Sequence, residues 1–209
     1  VKVLKAVETV LHDKIAHPVL IGNESLITGI IREYNLHIPE PEIIDLFDPA
    51  ISGKRMAFAK ILFEKRQRKG LTLEDAEDCM LNRDYFALMM VETGEADAFI
   101  SGFSKKYSDT IRPALHVIGV REGISRIAGM YIMITRKGPF FLADTTVNIQ
   151  PSAEELVEIA LLTAAEIRKF AIEPVMAFAS FENFGSYRGP GDHQEVSRAV
   201  AILHCDHPG

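Results

Sequence analysis

No apolar run in this chain approaches the length of a membrane span, and its first residues lack the basic-then-apolar layout of a secretory leader. Cysteine is scarce. Cys79 and Cys205 are the only two, and neither belongs to a Cys-x-x-Cys pair, which argues against a disulfide framework or a zinc site. Free thiols fit a reducing compartment, so the cytoplasm is the expected location. The seven histidines (His12, His17, His37, His116, His193, His204, His207) show no metal-binding spacing, and no metal is expected here. Positive charge is not in excess either. A net charge of -6 and a pI near 5.7 argue against nucleic acid or a membrane surface as partner. A nucleophile elbow, a Walker loop, a Gly-x-Gly-x-x-Gly fingerprint and any internal repeat are all absent.

What is present is an ordinary globular composition. At 209 residues, with 47% hydrophobic and 25% charged, the chain can bury a sizeable core and divide into two lobes. Periodicity predicts a helix from Lys2 to Leu11, a strand over Pro18–Gly22, a helix capped by Asn23 and a strand over Glu42–Asp45, an order that favours parallel pairing. A longer helix from Ser52 to Lys69 ends in basic residues and Gly70, as helix C-termini prefer. Thr72 and Asp75 form a capping-box signature, a short helix covers Tyr85–Thr93, and Ala96–Gly102 reads as a buried strand. Arg126–Thr135 and Pro139–Ala143 flank a hairpin turn, Ser152 with Glu155 starts a long helix to Phe170, and Pro174–Ser180 reads as a strand. A last helix follows Gly189-Pro190-Gly191 and runs to His204. The expected lobes are residues 1–120 and 121–209, divided between Leu115 and Arg126 where helix pattern yields to paired strands. The chain opens at Val1 without an initiator Met and stops at Gly209 where a next strand is due, so an excerpt with its C-terminal part missing is expected.

Ligands of open α/β sheets gather beyond the carboxyl ends of strands, beside helix N-termini. Small or hydroxyl residues follow three apolar runs, at Ser101-Gly102, at Asp144-Thr145-Thr146 and at Ser180 with Phe184-Gly185-Ser186. Each alone is equally ordinary turn chemistry. Asp109-Thr110-Ile111-Arg112-Pro113 says more, because it follows a loop with Lys105 and Lys106, and Arg112 can hold phosphate or carboxylate with two parallel donors. Asp109 can orient Arg112 or cap a helix. The alternative is a surface Asp109–Arg112 pair of little energetic weight. Lys65–Lys69 is likewise either a solvated helix end whose charges complement the dipole or a phosphate-binding run.

Read in order, these segments resemble the phosphate acetyl/butyryl transferase family. The matching stretches are 64–72, Arg83–Met90, Gly94–Asp97 through Gly102, Asp109–Leu115, and Ala143–Asn148 with Pro151–Leu156. Phe141–Asn148 and Ser180–Ser186 resemble one branch more closely, the phosphotransacetylase-like C-terminal domain of bacterial NAD(P)-dependent malic enzymes. The resemblance implies two α/β lobes around a cleft, of isocitrate/isopropylmalate dehydrogenase-like fold. It implies acetyl-CoA, CoA or an acyl phosphate as ligand. Arg112 and then Arg66 would meet its phosphate, and Ser101, Gly102, Asp109, Thr110, Asp144, Thr145, Asn148 and Ser180 would line the site. No catalytic residue is assigned, because the family's Ser-Arg pair and Asp have no counterpart before Gly209.

The branch implies a parent that oxidatively decarboxylates malate with NAD(P) and divalent Mg or Mn, both held by a preceding malic-enzyme domain. The expected role is therefore a non-catalytic acetyl-CoA-sensing, regulatory and oligomerisation domain, partnered by that domain and by further copies of itself. The alternatives are an active phosphate acetyltransferase, converting acetyl-CoA and phosphate to acetyl phosphate and CoA, and a purely structural oligomerisation domain.

Overall fold

The computed structural model describes residues 1–180 and 192–206. The architecture is mixed α/β, in two compact units, Val1–Gly119 and Val120–Gly209.

In the first unit, α1 (Lys2–His12) precedes β1 (Val19–Ile21), α2 (Glu24–Glu33) and β2 (Glu42–Ile44). The two strands pair in parallel with Val19 opposite Glu42, as the strand–helix–strand order predicts. Asn23 starts α2 by accepting the Leu26 N–H at 2.9 Å, and its amide donates to Asp45 Oδ2 at 3.0 Å. Asp45 thus ties the end of β2 to the start of α2. Four helices follow: α3 (Ser52–Arg66), α4 (Leu73–Cys79), α5 (Arg83–Glu92) and α6 (Tyr107–Val117). Residues Gln67–Lys69 close α3 with a 3-10 turn, and Gly70 takes the left-handed conformation (φ 88°) that a side chain would disfavour.

The core of this unit lies among its helices rather than on a sheet. Phe58 and Leu62, one turn apart on α3, face Phe86 and Met89 of α5, with Ala76 and Met80 from the α4 end and Val117 from α6. Phe58 and Phe86 tilt against each other with ring centroids 5.1 Å apart. Asp84, Tyr85, Phe86, Leu88, Met89 and Met90 are all buried, so α5 is wrapped nearly all round. A smaller cluster of Leu4, Val7 and Ile38 joins α1 to α2.

In the second unit β3 (Met130–Thr135) and β4 (Gly138–Ala143) form an antiparallel hairpin in the predicted place. Thr135 Oγ1 donates to the Gly138 carbonyl at 2.8 Å and accepts the Lys137 N–H, which fixes the turn. α7 (Ala153–Arg168) packs against α8 (Asp192–Asp206) through Ala153, Val157 and Ala199.

Two predicted strands are not formed. Ala96–Gly102 carries no ladder hydrogen bonds, and Ile100 is 95% exposed. Pro174–Ser180 is likewise irregular, with Val175 fully exposed. An apolar run becomes a strand only beside a partner, and no described strand lies along either segment. Among the described residues no helix is long and apolar enough to cross a membrane.

Candidate functional site

The predicted basic run over Lys65–Lys69 divides once α3 packs. Lys65 turns to Glu92 of α5, with Nζ 2.5 Å from Oε1. Arg66, one residue on, turns elsewhere and is half-buried. On α6, Arg112 and His116 stand four residues apart and so share one face. The charges of Arg66 and Arg112 both act on His116 and on Tyr85 of α5. The charges of these two predicted site residues therefore act on one Tyr85–His116 pair, although 46 positions separate them. Neither has an ion pair among the described residues, and Lys69 adds a third positive charge at His116.

Beneath the cations lies a pair that sequence reasoning did not select. Tyr85 Oη is 2.8 Å from His116 Nδ1, with the rings tilted by 60°. Burial, with Cys79 adding to it, pushes the Tyr85 hydroxyl up to about 12, so it stays a proton donor. His116 is held below its ordinary value, first by burial and then by Arg66, Arg112 and Lys69, so its ring is neutral at pH 7. Burial also raises the Cys79 thiol, partly offset by its contact with Tyr85. The 31-residue separation of Tyr85 and His116 left no local signal.

The loop before α6 hangs on another residue that was not selected. Asp84 is 4% exposed and accepts from Lys105 Nζ at 2.7 Å and from Ser101 Oγ at 3.2 Å. Asn82, the N-cap of α5, accepts the Asp84 N–H at 2.9 Å and so sets its direction. Ser101 is thereby engaged with Asp84, Gly102 beside it adopts φ +106°, and both are exposed. Asp84 lies within Arg83–Met90, one of the stretches that resemble the family. An acidic residue in a first turn reads as dipole complement, which hid its burial.

Asp109 neither pairs with Arg112 nor caps α6, whose N-cap is Lys106; among the described residues its side chain accepts only from Ser108 Oγ, at 3.3 Å. Thr110 Oγ1 is buried and has no hydrogen-bond partner among the described residues. A groove lined by Glu8, His12, Arg32 and His37, among others, shares no residue with the Arg66–Arg112 cluster.

In the second unit Asp144 organises its own loop. It accepts the backbone N–H groups of Gly129, Thr146, Val147 and Asn148 and the Asn148 side-chain amide, the last at 2.6 Å. Asn148 also donates to the Ile127 carbonyl at 2.9 Å. Burial raises the Asp144 carboxyl, but the four backbone donors outweigh it and hold the group below its usual range. A Cβ on Gly129 would meet Thr146 Oγ1 at 2.8 Å, so the loop needs glycine there. Thr145 and Ser180 are exposed; Phe181–Ser186 lie outside the described residues.

The model of one family, described as phosphate acetyl/butaryl transferase, matches residues 1–209. The chain belongs to that family. Phosphate acetyltransferase of Bacillus subtilis is 33% identical over 96% of this chain and 61% of its own length. The Synechocystis phosphate acetyltransferase is 33% identical over 97% of this chain and 29% of its own. Among solved structures, the EutD phosphotransacetylase of Staphylococcus aureus superposes with a TM-score of 0.82 at 29% identity, covering 99% of this chain and 61% of that one. The chain therefore spans about three-fifths or less of these relatives.

The relatives correct one expectation. Assignment to the malic-enzyme branch, with a non-catalytic acetyl-CoA-sensing role, is overturned by phosphate acetyltransferase relatives that match across 96% of the chain. The branch rested on two short stretches, one of them largely outside the described residues, whereas the family match runs the whole length. NAD(P) and the divalent metal were expectations for that branch's preceding domain and concern no residue of this chain.

Proposed function

We propose that this chain supplies phosphate- and acyl-phosphate-holding residues of a phosphate acetyltransferase, which exchanges an acetyl group between coenzyme A and inorganic phosphate. The observation that carries this reading is the convergence of Arg66 and Arg112, neither of them ion-paired among the described residues, on the Tyr85–His116 pair. Family membership and the names of the relatives support it. The reading includes an isocitrate/isopropylmalate dehydrogenase-like fold, in keeping with the phosphotransacetylase neighbours.

In the forward reaction a phosphate oxygen attacks the thioester carbonyl. The new C–O bond forms as the C–S bond breaks, and coenzyme A leaves as thiolate. Phosphate is a poor nucleophile when free in water, and its two negative charges are costly to dehydrate. Two guanidiniums supply parallel donors that neutralise it and aim one oxygen at the carbonyl. Thr110 Oγ1, buried and unpartnered among the described residues, is a further donor in the same helix. Ser101 and Gly102 belong to the loop that Asp84 and Lys105 hold, and Asp109 lies one turn before Arg112. In the second unit Asp144 and Asn148 shape the 144–148 turn, on which Thr145 is an exposed candidate ligand contact, and Ser180 is a further candidate elsewhere in that unit.

Isothermal calorimetry with inorganic phosphate and acetyl phosphate tests the holding role, and release of coenzyme A from acetyl-CoA plus phosphate tests the reaction. Arg112→Ala and Arg66→Ala are each expected to weaken phosphate binding by roughly tenfold or more, the usual cost of removing one partner of a charge-assisted contact. Unchanged phosphate affinity in both variants would overturn the arginine assignment. No release of coenzyme A by the unaltered protein would overturn the transfer reaction.

A further inference from the structure

We propose that His116 is a third anion ligand beside Arg66 and Arg112, donating through Nε2–H, and that Tyr85 is the positioning residue that holds it in that tautomer. The inference rests on the phosphate-holding reading above and adds a residue pair to it.

The argument begins with the proton on Tyr85. Its oxygen lies 2.8 Å from His116 Nδ1, and the Cys79 thiol is its other neighbour. One hydroxyl proton can serve one acceptor. An imidazole nitrogen is a strong acceptor and a thiol sulfur a weak one, so the Tyr85 O–H goes to Nδ1. A neutral ring that accepts at Nδ1 must carry its proton on Nε2.

The surroundings favour the same tautomer. His116 shares a face of α6 with Arg112, and Arg66 and Lys69 reach it from the end of α3. Had Nε2 been a bare acceptor among these donors, an arginine N–H would gain by bonding it. Neither Arg66 nor Arg112 makes a hydrogen bond to the ring, although both act on it. A donor at Nε2 leaves the guanidiniums free for an anion, and in the proposed site His116 adds its N–H to theirs. Keeping the imidazole neutral also adds a donor without adding a further unpaired charge beside three cations, which would otherwise repel it. A phosphate oxygen is the acceptor this set lacks.

The test combines spectroscopy and binding. In ¹⁵N-labelled protein at pH 7, the two-bond nitrogen–proton pattern of His116 is expected to report the Nε2–H tautomer, and inorganic phosphate is expected to move the Nε2 resonance. Tyr85→Phe keeps ring volume and is expected to fold. It should mix the tautomers and weaken phosphate binding about threefold to tenfold, the scale of one positioned neutral hydrogen bond. His116→Gln, whose amide can donate from the Nε2 position, should stay within about threefold of the unaltered protein, whereas His116→Leu should lose about tenfold.

A His116 ring found with its proton on Nδ1 in the unaltered protein would overturn the proposal without any variant. So would Tyr85→Phe and His116→Leu that bind phosphate normally while Arg112→Ala does not; the arginine site would then stand without its third ligand. If Arg112→Ala and Arg66→Ala also bind normally, the anion site itself falls, and this inference with it.

Discussion

Asp144 was singled out as a ligand contact, and in the folded chain its oxygens accept four backbone N–H groups and one side-chain amide of its own surroundings. That arrangement has a consequence in acid. Burial alone would raise the carboxyl, and the donors of Thr146, Asn148, Gly129 and Val147 lower it further than burial raises it. The folded state therefore binds the proton less readily than the unfolded chain. Stability from Asp144 is present above the unfolded carboxylate range, about pH 4, and is lost as pH falls through the depressed folded value. Asp144→Ala is expected to cost about 1–3 kcal/mol at pH 7, since it orphans donors in the loop. In urea titrations between pH 6 and pH 3 the variant should lose less stability than the unaltered chain. Parallel pH profiles for the two would contradict this account. Gly129 belongs to the same residue-level logic, because the approach of Thr146 leaves no room for a side chain.

Helix starts were the elements most legible in the chain, because their information is local. Thr72 with Asp75 and Ser152 with Glu155 both form reciprocal capping boxes where the spacing places them. Ser152 Oγ accepts the Glu155 N–H at 3.3 Å, and Glu155 Oε2 accepts the Ser152 N–H at 2.9 Å. Glu195 of α8 takes a further α7 donor, Ala153 N–H, at 2.6 Å. Ser152→Ala is thus expected to lower stability by about 1 kcal/mol, within the 0.5–2 kcal/mol usual for a lost cap. A thermal melt reads this directly, and a change above that range would mean that Ser152 does more than cap. Strands were less legible. The 130–143 hairpin pairs strands close in sequence and Val19–Ile21 pairs across one helix, whereas Ala96–Gly102 and Pro174–Ser180 have the composition of strands without a described neighbour to pair with.

At the scale of the whole molecule, stability rests on helix packing more than on the two small sheets. Phe86 is fully buried and packs at a tilt against Phe58, in a helix with six buried residues. Phe86→Ala is expected to cost about 3–5 kcal/mol, combining lost transfer energy with the cavity left behind. Val175, apolar as well but fully exposed, is the control: Val175→Ala should stay within about 0.5 kcal/mol of the unaltered chain. Denaturant melts of the two variants measured side by side decide this, and a large loss at Val175 would show that its segment is covered in solution.

Taken by itself, the amino-acid order was enough to place most of the helices, the caps at Asn23, Thr72 and Ser152, the hairpin and the family, because each depends on neighbours within a few residues or on ordered motifs. Arg66 and Arg112 were also legible as candidate anion contacts. Which of the four basic residues within Lys65–Lys69 acts at the Tyr85–His116 pair was not: Lys65 goes to Glu92, whereas the charge of Arg66 acts on His116, because α3 packs with a particular rotation against α5 and α6. The buried Asp84, with its hold on Ser101 and Lys105, and the Tyr85–His116 pair were decided by tertiary structure alone. Their partners lie 17 to 31 residues away. Only burial separates a charged or polar residue that complements a helix end in water from one that must find a specific partner inside.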